Sequence, residues 1–174
     1  VGLVYPINPA KDGTTTVAIG ELTGSASSKI MGPRLRNVNY NVGSLGTNSV
    51  FEGTIQNFAA DQWSNIPVIN FAKSGAGELT MSGESTQYIA GAIAVNAGSL
   101  KVTGILGSAT VPVTVANGAT LKGTGTIGGA TTIKGTSMGN LNFGSNLTLT
   151  NNVELTITGF TEGEYDVIDV AGTL

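Results

Sequence analysis

Gly77-Glu78-Leu79-Thr80-Met81, Gly98-Ser99-Leu100-Lys101-Val102, Ala119-Thr120-Leu121-Lys122-Gly123 and Gly139-Asn140-Leu141-Asn142-Phe143 are four versions of one phrase. Leu79, Leu100 and Leu121 are evenly spaced, and Leu141 follows after almost the same interval. A fixed period of about 20 residues marks a solenoid, whose units bury their apolar faces only against one another. The beat predicts a stack of coils with Leu79 over Leu100 over Leu121 over Leu141. It points to a structural role before a catalytic one.

Apolar residues recur at i, i+2 in short bursts such as Ile69/Phe71, Ile93/Val95 and Val111/Val113/Val115. That is strand periodicity. Turn signals separate the bursts, among them Asn96-Ala97-Gly98, Asn117-Gly118 and Gly128-Gly129. Strands this short do not suit an ordinary sandwich. They suit the faces of an all-β parallel β-helix with coils of about 20–23 residues, stacked about 4.8 Å apart. Eight or so such coils would make a rod on the order of 40 Å long.

The organisation is read as one β-solenoid segment over residues 1–174. Looser coils occupy 1–56, an inserted loop 57–67, regular coils 68–158 and closing strands 159–174. Ile19-Gly20-Glu21-Leu22-Thr23-Gly24 and Val42-Gly43-Ser44-Leu45-Gly46 keep the beat in the first part, with Pro33–Arg36 bulging between them. The stretch 57–67 carries Trp63, the only tryptophan, and lacks alternation. The sequence has no initiator methionine and ends in mid-pattern, so it is read as a fragment of something longer.

Composition narrows the function. The 174 residues include 26 glycines, no histidine and no cysteine, with 11% charged residues and a net charge of −3. Nucleic acid is not expected as a partner, because phosphate binding needs a basic stripe and Arg34/Arg36 is the only close basic pair. Without His and Cys there is no His-dependent triad, thiol nucleophile or ordinary zinc site. No apolar run reaches the ~18–20 residues that span a bilayer as a helix, and Val1–Pro9 does not read as a signal peptide.

Four candidate features remain. Glu78 and Glu84 could form a carboxylate pair, the requirement for glycoside hydrolysis. Glu162, Glu164, Asp166 and Asp169 form the only acidic cluster, without the spacing of a calcium loop; it reads as a solvated hairpin. Gly123-Thr124-Gly125-Thr126-Ile127-Gly128 matches G-x-G-x-x-G, but a strand follows where a dinucleotide site needs a helix. Trp63, with Tyr40 or Tyr88, is the candidate ligand contact for surface glycans or other proteins. No catalytic residue, cofactor or metal is assigned.

Phe71-Ala72-Lys73-Ser74-Gly75-Ala76-Gly77-Glu78-Leu79-Thr80-Met81-Ser82-Gly83, followed by Tyr88, Gly91 and Ile93-Ala94-Val95-Asn96-Ala97-Gly98-Ser99-Leu100, resembles the autotransporter-associated β-strand repeat. The likeness spans about residues 69–104, with Met81 where the family carries leucine or valine. Asn117–Gly129 resembles the coil that follows such a repeat, and Gly159–Ile168 its closing strands. The resemblance implies a right-handed β-helix on a secreted or outer-surface bacterial protein and implies no activity. The expected function is a non-catalytic structural or adhesive segment, extracellular or on the bacterial surface. The alternatives are an accessory, carbohydrate-binding domain of a polysaccharide-degrading enzyme, and a filament subunit that self-associates end to end.

Overall fold

Short bursts of alternating residues cannot bury enough surface alone, so the backbone winds into coils and stacks them. The computed structural model describes residues 13–32, 36–56, 67–85, 91–150, 153–154 and 166–174. The first coil contains β1 (Thr14–Ile19) and β2 (Lys29–Met31); the second contains β3 (Asn37–Val42), β4 (Ser49–Phe51) and β5 (Thr54–Gln56). The third holds β6 (Ile69–Lys73), β7 (Glu78–Met81) and β8 (Glu84–Ser85). The fourth holds β9 (Ile93–Val95), β10 (Ser99–Val102) and β11 (Ile105–Leu106), and the fifth β12 (Val113–Val115), β13 (Thr120–Gly123) and β14 (Thr126–Ile127). The sixth has β15 (Thr131–Ile133), β16 (Thr136–Met138) and β17 (Asn142–Phe143). The seventh has β18 (Leu147–Leu149), β19 (Val153–Glu154) and β20 (Asp169–Val170).

From the second coil onward, each coil contributes one strand to each of three walls. The first wall is the seven-stranded sheet β1-β3-β6-β9-β12-β15-β18; the second is β19-β16-β13-β10-β7-β4. The third is β20-β17-β14-β11-β8, which the pair β2-β5 continues: Ile55 N donates to Ser85 Oγ at 3.0 Å across that junction. Pairing is parallel in all three walls. The fold is an all-β parallel β-helix. The described residues make seven coils, and Leu147 N donates to Thr173 O at 2.8 Å where an eighth begins.

Inward side chains form ranks along the axis. Tyr40, Phe71, Ile93 and Val113 stack in the first wall, and Leu79, Leu100 and Leu121 in the second. All seven are buried. A fully buried side chain of this size contributes roughly 1.5–3 kcal/mol. Asparagines clamp coil to coil from outside: Val68 N donates to Asn37 Oδ1 and Ala92 N to Asn70 Oδ1, at 2.8 and 2.9 Å.

The leucine ladder departs from the expected sequence of rungs. Leu121 pairs with Ser137, not with Leu141. The coil shortens here: the register that carries Leu100 onto Leu121 carries Leu121 only as far as Ser137. Leu141 is still buried, but it comes immediately before β17, whose Asn142 N donates to Gly125 O. It therefore lies at the corner that Gly125 turns one coil below. The expected coil length holds between Thr14 and Asn37 and again in the middle of the stack. Val38 pairs with Ile69 over a much wider interval, and Thr131 with Leu147 over a narrower one.

The corner between second and third walls is a tight turn ending in Gly53, Gly83, Gly104 and Gly125 of successive coils. None of these has the positive φ that favours glycine. Crowding selects it instead. A Cβ on Gly104 would meet the carbonyl oxygens of Ser82 and Gly83 in the coil beneath, closer than the 3.0 Å limit of real Cβ contacts. Gly104→Ala is expected to destabilise the protein by about 1–3 kcal/mol in urea unfolding. Gly13→Ala, which meets nothing within 4 Å, should change stability by less than about 0.5 kcal/mol. Among the described residues, Ser137 Oγ is buried without a hydrogen-bond partner. Ser137→Ala should be neutral or stabilising by about 1 kcal/mol in the same measurement, because no bond is lost.

Candidate functional site

Alternation along β6 turns Ile69, Phe71 and Lys73 inward together. Lys73 is the outlier, a cation 1% exposed inside an apolar rank between Val42 and Val95. Its stem packs in the wall while the backbone turns at Ser74-Gly75. There Nζ donates to Ser74 O at 2.8 Å, Gly75 O at 2.9 Å and Ala97 O at 3.2 Å. All three ammonium hydrogens thus meet carbonyl oxygens of two successive coils. Burial removes water from the ammonium and lowers its pKa from the usual lysine value. The arrangement ties two corners together and leaves Nζ enclosed.

The other charged group lies on the outer face of the second wall. Lys122 Nζ contacts Glu78 Oε2 at 2.6 Å, reaching from β13 past β10 to β7. Lys101 stands in register with Lys122, and Thr80 Oγ1 donates to Glu78 Oε1 at 3.4 Å. The Glu78 carboxyl titrates below its ordinary value, chiefly through the hydrogen bond from Lys122. Partial exposure of both partners limits this pair to about 0.2–1 kcal/mol.

These placements redraw the sequence candidates. Tyr40 is 1% exposed and its hydroxyl donates to Met31 O at 2.7 Å. It is a core residue and presents no ring to a ligand, because the inward register of β3 carries Val38, Tyr40 and Val42 together. Trp63 and Tyr88, the other two candidates, lie outside the described residues, as do the loop 57–66 and Arg34. Glu78 and Glu84 sit on different walls, and Glu78 is engaged by Lys122. Glu162 and Glu164 are outside the described residues; Asp166 Oδ2 accepts from Gly139 N at 3.3 Å, and Asp169 is exposed on β20.

Among the described residues, no group of three His, Cys, Asp or Glu side chains could hold a metal ion. No helix among them is long and apolar enough to cross a membrane. Comparison with protein-family models, with curated proteins and with solved structures finds no match.

Sequence reasoning does not single out Lys73 as a buried group, although its signal is present. Lys73 holds the third inward position after Ile69 and Phe71, next to a run of carbonyls at Ser74-Gly75. The folded protein gives up the Lys73 proton at lower pH than the unfolded one does. The unfolded state therefore binds more protons just below the ordinary lysine value, and stability should rise with pH across that alkaline interval. Urea unfolding of the wild type and of Lys73→Met at stepped pH checks this: the rise should be absent from the variant. At neutral pH, Lys73→Met should lose about 1–3 kcal/mol, since three corner carbonyls lose their donor.

Proposed function

We propose that the protein is a non-catalytic β-helix segment of a bacterial cell-surface or secreted protein, serving as a stalk or adhesive scaffold. The observation that carries this reading is the unbroken parallel ladder through seven coils around one apolar core. A rod of this kind transmits position and force along its axis and offers repeated outer faces to partners. The first wall's outer face is made of short side chains: Asn41, Ala72, Ala94, Thr114, Thr132 and Thr148 follow one another in register. The likeness of residues 69–104 to autotransporter-associated repeats supports an extracellular setting. Partners of this scaffold would be surface glycans, other proteins or the remainder of a longer polypeptide.

Self-association is the second reading. Among the described residues β1 is the outermost strand of its sheet, and an open strand edge favours pairing with another molecule.

Two measurements test these readings. Incubation with a panel of acidic and neutral polysaccharides should release neither new reducing ends nor unsaturated products; release of either would overturn the non-catalytic reading. Sedimentation over a range of concentrations should give an elongated monomer if the protein is a stalk. A mass that grows with concentration would favour the self-associating rod.

A further inference from the structure

We propose that Asn117 is a site of spontaneous modification, at which the Gly118 nitrogen closes on the Asn117 side-chain amide and the residue ages to aspartate and isoaspartate. Asn117-Gly118 is the sole Asn-Gly pair of the sequence. Both residues are exposed. They form the tip of a turn closed by Ala119 N donating to Ala116 O at 3.0 Å. Gly118 has φ +79°, and a Cβ built on it would meet nothing within 4 Å. With no side chain on Gly118, its nitrogen is the least shielded backbone nucleophile an asparagine can have as a neighbour.

The shortening of the stack opens this corner. In the next coil Lys134 N donates to Val115 O and Thr136 N to Ala119 O, each at 2.9 Å. Only Lys134-Gly135 joins the two strands there, with Gly135 lying against the carbonyl oxygens of Ala116 and Ala119. The following coil thus cuts across the base of the turn, and Asn117-Gly118 projects beyond it. Among the described residues the Gly118 N–H donates no backbone hydrogen bond. The corner one coil earlier shares the entry bond, Asn96 N to Lys73 O at 2.8 Å matching Ala116 N to Val95 O at 2.9 Å, but there Ala97 O is held by Lys73 and the residue after Asn96 carries a side chain.

The chemistry needs only water. The Gly118 nitrogen loses its proton to solvent and attacks Asn117 Cγ; the Asn117 Cγ–Nδ2 bond breaks and ammonia leaves. Water then opens the five-membered imide at either carbonyl, giving aspartate or isoaspartate. One water is consumed and one ammonia released, with no change of oxidation state. Each conversion adds one negative charge to the formal −3. Isoaspartate also lengthens the backbone by one methylene, in the part of the corner that no following coil covers. The strands on either side, β12 and β13, keep their partners.

The full folded protein is held in mildly alkaline buffer at physiological temperature, sampled over time and digested after lysine and arginine. Peptide Val102–Lys122 contains Asn117 as its single asparagine and has no glutamine, while Ser74–Lys101 contains Asn96. The amide of Asn117 should convert several-fold faster than that of Asn96, into two separable acidic products, with unchanged far-ultraviolet dichroism. Asn117→Gln should keep the fold and abolish conversion in that peptide. The proposal is overturned if Asn117 keeps its amide or converts no faster than Asn96. It is equally overturned if conversion occurs only in the urea-unfolded protein.

Discussion

Everything in this molecule is subordinate to the distance between one coil and the next. Parallel strands hydrogen-bond at about 4.8 Å, and a solenoid must hold that spacing at its corners as well as in its walls. In the walls the spacing stacks inward residues on like partners, such as Leu79, Leu100 and Leu121. At the corners it brings carbonyl oxygens of one coil against the Cα atoms of the next, and Gly83, Gly104 and Gly125 are the result. The abundance of glycine is thus a packing requirement at these places, distinct from the left-handed turns at Gly75, Gly98 and Gly118.

The same spacing governs which polar groups the interior tolerates. Lys73 survives inside because the corner beside it supplies three carbonyl oxygens at hydrogen-bond distance. Ser85 survives because its hydroxyl meets Ile55 N across the junction of the third wall. Ser137 has no such partner among the described residues and contributes chiefly its small size. Where the coil contracts between Leu121 and Ser137, a leucine in place of Ser137 would need volume that the shorter perimeter does not enclose.

Periodicity makes the walls legible, since inward alternation and the regular leucine beat follow directly from strand geometry and stacking. It fails at Leu141. Leu141-Asn142-Phe143 repeats the Leu-x-apolar phrase almost on schedule, while the coil closes early and the phrase moves to the next wall. Nothing in the leucine itself records that shift; the shortening is spread over the turns at Gly128–Ala130 and Lys134-Gly135. Tyr40 misleads for a related reason. An isolated tyrosine in an Asn-rich strand suggests a surface ring, yet its neighbours Val38 and Val42 fix its face, and Met31 O satisfies its hydroxyl. The candidate site is legible only at the level of composition, because burial of Lys73 and the reach of Lys122 to Glu78 depend on stacking.

Coil length also bears on the order in which the rod assembles. From β3 onward, successive pairings in the first wall enclose progressively shorter segments: Val38 to Ile69, Phe71 to Ile93, Ile93 to Val113, Val113 to Thr131 and Thr131 to Leu147. The widest loop is nearly twice the narrowest, and each doubling of a closed loop costs about 0.6 kcal/mol more in conformational entropy. Closure of the first pairing is therefore least costly among the later coils, around β15 and β18. A nucleus formed there presents a ready template, and the wide coils near Tyr40 and Ile69 join an edge already in place. The taper gives the stack a direction of growth, from its narrow end toward the wide coil between β3 and β6.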